Sequence, residues 1–166
     1  MILDICGWRF DVDLTETMAY SAREAAEHCT CAYCRNYYAS VDTAYPELRG
    51  FLAQFGVDPE APAELFPYEA TACEVVYLVC GRILHPGDYE IDVGNAHVLA
   101  VDTDRISLPD VVPETLQWFA LQVMDLNLPW VLKEPSEEVI SPANEPSFLK
   151  RMRYRLLEKA KRTTPS

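Results

Sequence analysis

The sequence predicts an α+β fold with a mainly antiparallel sheet, and three observations carry that expectation. Helix-type patterns gather in the first third of the chain, strand-type runs follow them, and the turns between those runs are of the hairpin kind. No β-α-β alternation is legible. Neither G-x-G-x-x-G nor G-x-x-x-x-G-K-[ST] occurs, which argues against a nucleotide-binding α/β fold.

Residues 2–14 alternate, with Ile2, Cys6, Trp8, Phe10, Val12 and Leu14 on one side and Gly7, Arg9, Asp11 and Asp13 on the other. That is the period of a half-buried strand, and it points Cys6 toward the core, where reduced cysteines usually sit. Residues 16–27 are rich in alanine and glutamate, with Thr15 and Thr17 available as caps. Met18, Ala22, Ala25 and Ala26 give this helix a thin apolar stripe. A second helical segment is expected to begin over residues 34–40. Pro46 then marks a turn, and residues 47–55 resume as a helix with Leu48, Phe51, Leu52 and Phe55 on one face and Gly56 as its stop.

Three prolines make residues 57–67 a loop, and residues 65–71 are expected to form a strand. Residues 73–84 are a continuous apolar run dense in Val, Tyr and Ile, the signature of a strand buried on both faces. His85-Pro86-Gly87-Asp88 is turn chemistry, and a Gly94-Asn95 turn joins residues 89–93 to 97–102 as a hairpin. Residues 104–113 read as a loop. Residues 116–128 read as a second long strand that ends in alternation, with Asp125 and Asn127 outward against Leu126 and Leu128. The expected organisation is one globular domain over residues 1–132, a proline-rich linker over 133–146, and a basic amphipathic helix over 147–166, capped by Ser147.

With 166 residues, 49% apolar and 24% charged, the composition is that of a globular protein able to bury a core. No run approaches the roughly 18 apolar residues that span a bilayer. The first residues lack a basic segment and a small-residue cleavage site, so they do not read as a signal peptide and a cytoplasmic location follows. There the six cysteines should be thiols, metal ligands or catalytic groups rather than a disulfide framework. The net charge of −12 divides into −18 over residues 1–145 and +6 over 146–166. An acidic body repels phosphates, which disfavours nonspecific nucleic-acid binding by the main domain.

Chemistry concentrates in one stretch, His28-Cys29-Thr30-Cys31-Ala32-Tyr33-Cys34. In an extended segment the sulfurs of Cys29 and Cys31 point the same way, and Cys34 lies where the chain can fold back to meet them. Three thiolates suit zinc, which asks for a fourth donor; His28 is adjacent, and Cys73 or Cys80 is available from a strand behind. A redox reading rests on Cys31-Ala32-Tyr33-Cys34, which resembles the C-P-Y-C of glutaredoxins, although the strand expected before such a motif is absent. The third reading is packed, reduced thiols beside Tyr33, Tyr37 and Tyr38. Cys73 and Cys80 face opposite sides of one strand, which suits core positions better than a shared ion.

Other features point less far. His85 and His97 bracket a hairpin without converging partners. No G-x-S-x-G elbow or H-E-x-x-H is present, so no catalytic group stands out beyond the cysteines. In the tail, Lys150, Arg151, Arg153, Arg155, Lys159, Lys161 and Arg162 surround an apolar stripe of Phe148, Met152, Leu156 and Ala160. That stripe can dock on the acidic body, or the helix can engage an anionic partner.

Three stretches in order, C-T-C-A-Y-C-R-N at residues 29–36, F-G-V-D-P-E-A-P-A-E-L-F at 55–66 and L-P-W-V-L-K-E-P at 128–135, resemble a group of uncharacterised short bacterial proteins common in Firmicutes genomes. Those proteins carry a D/H-C-x-C-x2-C-R-N segment and a G-I-D-P-x-x-P-A-E-V element. The Gly-Trp-Tyr segment usual in that group is replaced here by Val75-Val76-Tyr77-Leu78. The resemblance covers residues 1–135 and implies a single bacterial domain but no mechanism, because the group has no assigned activity.

The sequence thus points to a non-catalytic interaction or scaffold module of the bacterial cytoplasm, with an unidentified protein partner. Its Cys29/Cys31/Cys34 cluster would stiffen a loop, with structural zinc as the candidate cofactor and His28 as a candidate ligand. The alternatives are a thiol-disulfide protein using Cys31 and Cys34, and an adaptor working through the basic tail helix.

Overall fold

The structure is a computed structural model that describes residues 1–27, 29–69, 71–103, 112 and 115–134. Its elements in chain order are β1 (Ile2–Ile5), β2 (Trp8–Val12), α1 (Leu14–Ala26), α2 (Ala32–Ala44), α3 (Pro46–Ala53), β3 (Glu64–Pro67), β4 (Ala72–His85), β5 (Ile91–Val93), β6 (Ala96–Asp102) and β7 (Trp118–Asn127). The strands form one sheet in the order β1-β2-β4-β7-β6-β5, with β3 paired to β4 as well. Every pairing is antiparallel, as the hairpin-type turns lead one to expect.

β4 is the strand the others are built on. Its first half lies between β3 and β7, and its second half pairs with β2. Both faces of that first half are covered, which explains its unbroken apolar sequence. On one face, Val75, Tyr77 and Val79 share a core with Phe10, Phe119 and Leu121 and with Tyr37, Val41, Leu48, Leu52 and Phe55 from the α2–α3 side. Phe10 stacks on Phe119 at 5.3 Å and meets Phe55 edge-on at 5.2 Å. On the other face, Val76, Leu78 and Cys80 pack with Trp118, Ala120 and Tyr20 of α1. Cys73 and Cys80 thus fall on opposite faces, both as core residues, as their spacing requires.

Two sequence expectations need correction. Residues 2–14 are not one strand but a hairpin and the start of a helix, and Cys6 is exposed at the hairpin's tip rather than buried. Ile5 pairs directly with Trp8, so only Cys6 and Gly7 make the turn, with φ of 48° and 82°. Pairing Ile5 with Trp8 shifts the inward parity from Leu3 and Ile5 in β1 to Trp8, Phe10 and Val12 in β2. A two-residue turn therefore hides inside an apparently continuous alternation.

The second correction concerns α1. It buries Thr17, Tyr20 and Ser21, while Met18 is exposed, so the Met18–Ala22 stripe is not its inner face. Asp13, not a threonine, supplies the cap, accepting from the Glu16 N–H at 3.1 Å. Thr17 instead donates its hydroxyl to the Asp13 carbonyl at 2.7 Å and accepts the Cys80 N–H at 3.0 Å. The polar inner face of α1 thus serves a backbone donor of β4 that would otherwise be buried without a partner.

The strand expected at residues 65–71 is the shorter β3, inside the proline-rich segment. His28, most of the linker over 133–146 and the whole tail helix over 147–166 lie outside the described residues.

Candidate metal centre

The site is built where α1 ends and α2 begins. Glu27 closes α1, and four residues later Cys31 caps α2 in extended geometry, φ −66° and ψ 158°. Its sulfur accepts the Cys34 N–H at 3.5 Å, in the manner of a serine or aspartate cap. Capping puts Cys34 one turn into the helix on the Cys31 side. Cys29, two residues upstream of that cap, brings its sulfur to the same place. As a result the sulfurs of Cys29, Cys31 and Cys34 all lie within 4.8 Å of one another.

That spacing is the decisive magnitude. Four sulfurs around tetrahedral zinc, each at about 2.3 Å, stand roughly 3.8 Å apart. Closing from the observed spread needs only side-chain adjustment. The three cysteines lie close enough to hold a metal ion, and their soft donors suit zinc in preference to magnesium or calcium.

The three thiols are not equivalent. Cys29 is held below the ordinary thiol range, chiefly by the Cys31 backbone N–H and then by bonds from the Cys31 and Cys34 side chains. Cys34 is pushed well up, first by burial and then by its bonds to Cys29 and Cys31. The group therefore has one sulfur favoured as the acceptor and one buried donor, with Cys29 and Cys31 facing solvent. Tyr38, one helical turn past Cys34, reaches the same cluster; burial and the adjoining Cys34 sulfur raise its phenol.

The first turn of α2 also holds another part of the chain. Asn36, buried, donates from Nδ2 to the Pro129 carbonyl at 3.1 Å and accepts the Val131 N–H on Oδ1 at 2.8 Å. Tyr33 meets the Trp130 ring edge-on at 5.7 Å. Arg35 pairs with Glu134 through Nη2, and its Nε donates to the Thr30 carbonyl at 3.0 Å. Residues 129–134, which leave the end of β7, thus lie as a strap against the helix turn that carries Cys34.

No family model, curated protein or solved structure matches the chain. The site must be judged on its own chemistry.

The sequence brought the correct sulfurs together, but several of their neighbours were illegible. Arg35 and Asn36 earned no role from spacing alone, because their partners on the strap lie 93 to 99 residues away in sequence. A buried asparagine inside a helix was the one available signal, since such a side chain needs a partner. His97 is engaged by Asp92 at 2.8 Å on the surface, and His85 ends β4 in the open; neither belongs to the cysteine group. Burial pushes the Cys73 thiol up to about 12 and the Cys80 thiol up to about 11, so both are inert core groups. No helix among the described residues is long and apolar enough to cross a membrane.

Proposed function

We propose that this protein is a non-catalytic interaction or scaffold module whose Cys29, Cys31 and Cys34 bind structural zinc. The observation that carries the reading is the convergence of three sulfurs within 4.8 Å at a helix start. A dithiol needs two sulfurs in reach; a third, supplied by a C-x-C pair, is what a tetrahedral metal uses. Zinc here would pin the α1–α2 connection to the first turn of α2. The N-terminal end of that helix favours the negative charge of the ligating thiolates. His28 remains the candidate fourth ligand from this chain, with water or a partner's side chain as alternatives.

The test pairs zinc analysis with thiol counting on the full chain before and after chelation. One zinc per chain, with the two exposed thiols of Cys29 and Cys31 gained on chelation, is expected. A zinc-free protein after purification in zinc-supplemented medium, with unchanged thiol counts, overturns the reading.

One observation favours a second reading, a thiol-disulfide function of Cys31 and Cys34. Cys31 is exposed at the helix cap and Cys34 is buried one turn in, the asymmetry that a dithiol at a helix start requires. Against it, the sulfur whose thiolate is favoured is that of Cys29. A redox titration giving a Cys31–Cys34 disulfide that exchanges with a small dithiol, in protein free of zinc, would replace the metal reading with this one.

A further inference from the structure

The metal ligands and the strap share one turn of helix. Residues 31 and 34 supply sulfurs, whereas 33, 35 and 36 hold residues 129–134. Arg35 makes the link direct. Its guanidinium bonds both the carbonyl of Thr30, between the two exposed cysteines, and the carboxylate of Glu134 at the strap's far end. Trp130 closes the strap on itself by donating its indole N–H to the Glu134 carbonyl at 2.7 Å.

We propose that metal occupancy at the cysteine site controls the strap, holding residues 129–134 on α2 when zinc is bound and releasing them when it is lost. The inference rests on the zinc reading above. Cys31 is extended, and Arg35, bonded to the Thr30 carbonyl, and the Cys31 cap fix residues 30 and 31 from the helix side. Cross-linking Cys29 and Cys31 to Cys34 through an ion sets the position of the Thr30 carbonyl. That in turn fixes the guanidinium for Glu134. Removing the ion frees residues 29–31 to move, so Arg35 loses one of its two anchors and the strap loses its charged clasp.

Coupling of this kind is reciprocal: whatever zinc does for the strap, the strap does for zinc affinity. The test measures amide exchange of Val131, whose N–H is held by Asn36, in full-length protein with zinc and after chelation. Amides of β6 serve as the internal reference, and zinc content is measured on the same samples. With zinc bound, Val131 exchange is expected to slow about fivefold or more, with β6 unchanged. Trp130→Ala, which loosens the strap without touching a ligand, is expected to weaken zinc binding by a similar factor. One zinc per chain with identical Val131 exchange in both states, or with unaltered affinity in Trp130→Ala, overturns the coupling and leaves the zinc reading intact. Failure to take up zinc overturns both.

Discussion

The six thiols divide by environment into groups that behave differently. Cys6 sits exposed on a two-residue turn, Cys29 and Cys31 are exposed at the mouth of the cluster, and Cys34, Cys73 and Cys80 are buried. Alkylation proceeds through the thiolate, so exposure and a lowered pKa decide the rate. In metal-free protein at about pH 7.5, iodoacetamide is expected to modify Cys29 before Cys6, and to leave Cys73 and Cys80 untouched until denaturant is added. Zinc should protect Cys29 and Cys31 while Cys6 keeps reacting. Peptide mass mapping over time reads both results; zinc-independent labelling of Cys29 would contradict the metal site. At this scale the sequence was informative where a local motif makes its own geometry. The C-x-C-x2-C spacing placed three sulfurs together because Cys31 caps the helix whose first turn carries Cys34, with Cys29 only two residues upstream. Cys6 was misread because one even-numbered parity was carried from Ile2 through Val12, whereas the turn at Cys6 and Gly7 shifts the inward positions from Leu3 and Ile5 to Trp8, Phe10 and Val12.

Among the elements, the β2–β4 pairing depends on a close approach that only glycine permits. Gly81 has φ of +142°, and a Cβ there would lie 2.0 Å from the Asp11 carbonyl oxygen. Gly81→Ala is expected to cost about 3 kcal/mol or more, through strain and a displaced strand. Gly50, in the body of α3 with open space around it, is the control; Gly50→Ala should stabilise by about 0.5–1 kcal/mol. Denaturant titration of the two variants reads both, and equal effects would contradict the register. At α1, burial and the Glu27 carboxylate hold Glu24 above the usual carboxylate range, and Glu64 is raised by burial and by Glu24. A carboxyl raised on folding binds its proton more tightly in the native state, so the associated stability is complete at low pH and is lost as pH rises through the native value. Glu24→Gln should therefore raise the melting temperature at neutral pH, with the gain shrinking toward about pH 4. A pH-independent difference would contradict that origin. Long elements were legible because their periods persist: β4, β7 and α3 fall where their apolar patterns put them. The inner face of α1 was not, since its buried Thr17 and Ser21 carry hydrogen bonds rather than apolar area, and hydrophobic patterning does not register those.

For the whole molecule, the antiparallel sheet brings the end of β7 beside the start of α2, and so places the strap at the cysteines. That adjacency depends on strand order, which local sequence does not encode, so the partners of Arg35 and Asn36 could not be read in advance. The charge contrast between the acidic body and the basic tail is a property of the sequence; the tail itself lies outside the described residues. What unites the scales is the claim that residues 29, 31 and 34 act as one donor set. Zinc-edge X-ray absorption on full-length protein carrying one equivalent of zinc tests this most directly. Three sulfur scatterers at about 2.3 Å are expected. A shell of nitrogen and oxygen alone at about 2.0 Å would contradict it.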